Sequence, residues 1–118
     1  MHPNPSFINL DNLMQLARGD KNKMYKYLNQ FRTLIPERIA ALKKSLQAED
    51  RTLIRQILHK MSPQLQFFGV PNVVQPIKKL EETYQTMSMK ALKQLVQKIL
   101  ITLQKAWEEV VRILEAEF

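Results

Sequence analysis

The chain has two histidines, His2 and His59, and one of them stands where an imidazole can do chemistry. His59 lies in the run from Arg51 to Gly69, in which Ile54, Ile57, Leu58, Met61, Leu65 and Phe68 recur at helical spacing as a single apolar stripe. At about 100° per residue, His59 falls roughly 150° from the centre of that stripe. Arg55, Ser62 and Pro63 lie one turn away on the same face, and Gln66 lies one turn further on. The spacing therefore predicts an imidazole that points into water from the middle of a helix, ringed by polar or small side chains. A free imidazole titrates near pH 6.5, so in water at pH 7 it is mostly neutral and a competent nucleophile. The bland alternatives are an idle surface histidine and a core histidine, and the facing argument opposes the second.

Other chemistries find little material. Cysteine is absent, so the chain has neither a disulfide framework nor a thiolate metal site, which suits a cytoplasmic protein. His2 sits in the Pro/Asn-rich start, where residues 1–8 are expected to fray, so no metal centre and no resident cofactor are expected. The only glycines are Gly19 and Gly69. They are too far apart for a phosphate-cradling loop, and both suit left-handed helix ends. No apolar run approaches the ~18 residues of a membrane span, and Met1-His-Pro-Asn-Pro lacks the build of a signal peptide.

His59-Lys60-Met61-Ser62-Pro63 followed by Gly69 resembles the signature of histidine phosphotransfer (HPt) domains of two-component phosphorelays. That signature is a helix with an exposed His, a Lys three residues on, a small residue four on and a Gly ten on. Leu13 to Asp20, Tyr27 to Phe31, and Pro36-Glu37 with the amphipathic run after them resemble the family's approach to the His helix, and Pro76 to Glu81 the helix that follows it.

The resemblance implies that His59, through Nε2, relays a phosphoryl group between receiver-domain aspartates. Its partners would be a response-regulator receiver domain and a hybrid sensor histidine kinase. The receiver would supply the aspartate and Mg²⁺, and this chain would have no kinase activity of its own. The chain departs from the pattern at two places. Ser62 stands where the family has Lys, and Glu81 falls by register where it often has Gln on the neighbouring helix; the charge of Glu81 would oppose a phosphoryl group. Lys60, offset by about 100°, or Arg55 could supply the missing cation, or both could belong to a solvated basic face. Gln66 could donate an amide hydrogen bond. Pro63 lacks the N–H that would bond the carbonyl of His59, so a kink or a water is expected there, and its compactness leaves room for a partner's loop. Phe67, at the edge of this face, is either a docking hydrophobe or partly buried. Ser62 and Glu81 together leave open a weak member or a phosphorylation-independent interaction module.

Five helices are expected to position these residues, with no strand: about Leu10 to Arg18, Lys21 to Gln47 with a bend at Pro36, Asp50 to Phe68 with Asp50 as N-cap, Pro71 to Gln85, and Ser88 to Glu115. In the last, Leu92, Val96, Ile99, Leu103, Ala106 and Val110 keep the four-three spacing of a bundle seam. Short connections then predict an all-α, antiparallel up-and-down four-helix bundle with the first helix as a lid. The 118 residues are expected to form one domain, and a monomer. The net charge of +7 raises a nucleic-acid reading, but Lys and Arg are scattered over all the helices. No nucleic-acid or membrane partner is expected, and attraction to an acidic receiver surface accounts for the charge as well.

Overall fold

The computed structural model describes residues 7–68 and 70–117. Five helices are formed among them: α1 (Leu10–Leu16), α2 (Lys21–Gln47), α3 (Arg51–Phe67), α4 (Pro71–Thr83) and α5 (Met89–Glu117). Short polar side chains start four of them by accepting otherwise unpaired backbone N–H groups. Asn9 takes the N–H of Asn12, Asp20 those of Asn22 and Lys23, Asp50 that of Leu53, and Ser88 that of Ala91. At α4 a proline at the first helical position replaces a side-chain cap.

The boundaries of α2 coincide with the expected ones, and those of the other helices differ by a residue or two. α1 stops at Leu16 rather than Arg18, because Arg18 (φ 53°) and Gly19 (φ 75°) are both left-handed and the N–H of Gly19 returns to the carbonyl of Met14. The end of α2 uses Glu49 in the same conformation (φ 53°). Lys93 reaches that turn from α5, its Nζ lying 2.6 Å from Oε2 of Glu49, and this hydrogen bond holds the Glu49 carboxyl below its ordinary pKa. α4 ends at Thr83 rather than Gln85, since the N–H groups of Thr86 and Met87 both turn back to the carbonyl of Thr83. The helix end expected at Gly69, and His2, lie outside the described residues.

The apolar stripes meet in one core. Ile54, Leu58, Met61, Leu65 and Phe68 are buried, while Ile57, on the edge of the expected stripe, is half-buried against them. Leu92, Val96, Ile99, Leu103, Ala106 and Val110 of α5 are all fully buried. α2 packs on α3 and α5, and α4 on the same two helices, so the four long helices close a ring. The pairs Glu49–Lys93 and Arg32–Trp107 run in opposite senses along α2 and α5, which makes these two antiparallel. The second pair follows from a proline. Pro36 has no N–H to give the carbonyl of Arg32, α2 continues through it, and the indole Nε1–H of Trp107 donates to that carbonyl instead, at 2.8 Å.

α1 lies across the end of the bundle where α3 finishes. Leu13 is buried there, the N–H of Asn9 donates to the carbonyl of Phe68, and Asn12 Nδ2 donates to the carbonyl of Phe67. The fraying expected for residues 1–8 does not extend to Phe7 and Ile8. Their N–H groups donate to the Glu109 carboxylate at 2.9 and 3.1 Å, and Ile8 is buried. Residues 1–6 lie outside the described residues. Among those described, no helix is long and apolar enough to cross a membrane.

Candidate functional site

The middle of α3 presents His59 to solvent, its side chain 61% exposed. The residues at the preceding and following core positions, Leu58 and Met61, are buried, which fixes the rotation of the helix and turns position 59 outward. The helix runs unbroken through Pro63.

Glu81, one position past the buried Leu80 on α4, points at the imidazole. Its Oε1 lies 2.8 Å from Nδ1 of His59, and its side chain is 27% exposed. The expected register thus holds, and it brings an orienting contact along with a like charge for any phosphoryl group. A carboxylate can only accept, so Nδ1 must carry the hydrogen of this bond, and a neutral ring then has its lone pair on Nε2. Nε2 has no hydrogen-bond partner among the described residues. The arrangement is a nucleophilic nitrogen facing water on a ring whose tautomer and orientation are held from behind. Deleting the carboxylate in Glu81→Ala should change stability by no more than about 1 kcal/mol, because the imidazole half of the pair is open to solvent. In ¹⁵N spectra the ring should pass from the Nδ1–H tautomer to a mixture, and chemistry at Nε2 should slow by on the order of tenfold, as when a reacting histidine loses its orienting partner. An unchanged tautomer would show that the contact does not orient the ring.

The other residues singled out in the sequence divide by flank. Arg55 and Ser62 are half-buried on the α4 side of α3, with Gln66 exposed beside them. Lys60 and Pro63 are exposed on the outer face. Phe67 is half-buried, edge-on to Tyr27 with ring centroids 5.1 Å apart. With Tyr27, Phe31 and Leu34 of α2 and with Pro63, it lines an apolar groove of about 310 Å³ on the α2 flank. The α3–α4 register is pinned a second time at the far end of α3, where the Arg51 guanidinium donates to the carbonyls of Tyr84 and Met87. Lys78, three residues before Glu81 on α4, is exposed. Lys78 escaped sequence reasoning because its position relative to His59 depends on two helices at once.

Known proteins share this fold. The family model described as Hpt domain matches residues 26–114. Among solved structures, the crystal structure of the HPT domain from the Hpt sensor hybrid histidine kinase from Shewanella matches with a TM-score of 0.80 at 19% identity, covering 92% of this chain and 94% of that one. At that identity the likeness carries the fold alone. No significant match is found among curated proteins. The family match takes in α3 with His59, α4 and most of α2 and α5, and on that ground the chain belongs to the Hpt domain family, the phosphotransfer modules of phosphorelays.

Proposed function

We propose that His59 is the phosphoacceptor of this domain and that it exchanges a phosphoryl group with receiver-domain aspartates. The observation that carries this reading is the exposed imidazole with Nδ1–H held by Glu81 and Nε2 facing water. In the uptake step the Nε2 lone pair forms a bond to phosphorus as the O–P bond of an aspartyl phosphate breaks, and the bonding electrons return to the aspartyl carboxylate. The charge that develops on the ring is met by the Glu81 carboxylate at Nδ1, so no proton has to leave for the N–P bond to form. Delivery to a second receiver is the same step reversed. Phosphoryl transfer of this kind is mainly positioning and charge stabilisation. A divalent cation carried by the receiver supplies charge stabilisation at the phosphoryl oxygens when the two proteins are docked. This chain contributes the nucleophile and a docking face, needs no cofactor of its own, has no kinase activity, and works as a cytoplasmic monomer.

The docking face on this reading is the outer surface of α3 around His59, with Lys60, Pro63 and Gln66 exposed on it. A net charge of +7 favours encounter with the acidic surroundings of a receiver aspartate. The test is incubation with ³²P-labelled phospho-receivers. Acid-labile, base-stable label on this chain, mapped to His59, is the expected result. Binding of receivers without any transfer of label would overturn the reading in favour of a passive interaction module.

A further inference from the structure

Phosphorylation of His59 would set a doubly charged group on a ring whose other nitrogen already faces a carboxylate, at 2.8 Å. The two negative groups then lie on opposite sides of one ring, and their repulsion raises the free energy of the phosphorylated state unless a cation faces the phosphoryl group. α3 does not offer one directly in line. Ser62, one turn along from His59 toward α4, carries no charge; Lys60 is turned by about 100° toward the outer face; and Arg55 lies one turn in the opposite direction, half-buried.

The neighbouring helix offers a better-placed cation. α3 and α4 are antiparallel, with position 59 paired to 81 and position 51 to the turn at 84 and 87. Three residues from His59 toward the C-terminal end of α3, and three residues from Glu81 toward the N-terminal end of α4, are therefore displacements of about 4.5 Å in the same direction. The first step reaches Ser62 and the second reaches Lys78. Lys78 is exposed and has no ion-pair partner among the described residues. Its stem rises from the flank of α4 that carries Glu81, whereas Lys79 is turned by about a further 100° toward open solvent. Ser62 is short, so its own side chain leaves room at that level for a lysine reaching across from α4.

We infer that Lys78 supplies, from α4, the cation that faces the phosphoryl group on Nε2 of His59, offsetting the charge of Glu81. This rests on the phosphoacceptor reading above. Lys78 would not alter the bonds made and broken; it would stabilise the phosphoryl oxygens as the N–P bond forms.

The experiment uses the whole chain and phosphoramidate, a small donor whose P–N bond breaks with loss of ammonia as the His59 N–P bond forms, so no receiver is involved. Lys78→Gln should slow labelling of His59 by roughly fivefold at low ionic strength, the upper range for one solvated charge pair. The deficit should shrink in high salt, where such pairs are screened. Lys79→Gln removes the same net charge from the outer face and should label like the unaltered protein. Adding Ser62→Lys to Lys78→Gln should restore the rate, since it returns a cation to the same level of the helix pair. In NMR spectra the ε-methylene signal of Lys78 should move on phosphorylation while that of Lys79 stays. If Lys78→Gln labels normally, or if Lys79→Gln is slowed equally, the assignment of Lys78 is overturned and the phosphoacceptor reading stands. If the deficit appears instead in Lys60→Gln or Arg55→Gln, the cation belongs to α3 and the inference is likewise wrong. Failure of the unaltered chain to take label at His59 would overturn the phosphoacceptor reading, and the inference with it.

Discussion

His59→Gln is expected to abolish phosphoryl uptake while leaving the protein folded and able to bind its receivers. Glutamine has comparable reach and polarity but no nucleophilic nitrogen, and it can still place an amide N–H toward Glu81. Because the side chain it replaces is 61% exposed, stability should change by no more than about 0.5 kcal/mol. Receiver affinity should persist, since docking draws on the surface around the imidazole rather than on the ring itself. The measurement is label transfer from a phospho-receiver alongside a binding isotherm and a melting curve for both proteins. Retained labelling of the variant would place the acceptor elsewhere. Loss of labelling together with loss of fold would mean that His59 serves the bundle rather than the chemistry.

Leu103→Ala should cost about 2–5 kcal/mol, the range for truncating a buried leucine that leaves a cavity. Leu103 is fully buried in the seam of α5, between Ile99 and Ala106, which are also fully buried. α5 packs against both α2 and α4, so a cavity here loosens two of the four contacts that close the ring. A small domain has only about 5–15 kcal/mol of net stability, so this one change should be plainly visible in urea or thermal unfolding. Ile101 is two residues away on the same helix but strongly exposed. Ile101→Ala should fall within about 0.5 kcal/mol, as expected for a surface position. A Leu103→Ala effect as small as that would mean that the α5 seam faces water or another copy of the chain, and the bundle would have to be redrawn.

The contrast between Leu103 and Ile101 was legible in the sequence because helical periodicity is local: once a segment is helical, residues three and four apart share a face whatever lies beyond it. The same rule turned His59 outward and Leu58 and Met61 inward, and it identified the six seam residues of α5, all of which are buried. Caps are local too. Asp50 accepts the N–H of Leu53 and Ser88 that of Ala91, within one turn of their own positions. Boundaries were less legible where a helix ends on a residue without glycine's signature, as α1 does at Leu16, two residues before the expected Arg18, which is itself left-handed. Phe7 and Ile8 were expected to fray with the polar start of the chain, and what orders them is a carboxylate about a hundred residues away.

The sequence by itself determined five helices, the face each buries, and an exposed histidine among polar neighbours. The tertiary structure decided what that histidine can do. Whether Glu81 brings only its charge to the neighbourhood or also holds Nδ1 at 2.8 Å depends on how far α4 slides and rotates against α3. That placement is set by packing across the core and by the Arg51 guanidinium on the carbonyls of Tyr84 and Met87. Likewise Pro36 announced a carbonyl without its helical donor, but only the approach of α5 supplies the indole of Trp107 to fill it. The periodicity of a single helix carries no information about its axial offset from a neighbour. A shift of one residue, about 1.5 Å with a 100° turn, would leave every buried stripe recognisable in sequence and yet remove Glu81 from the face of His59.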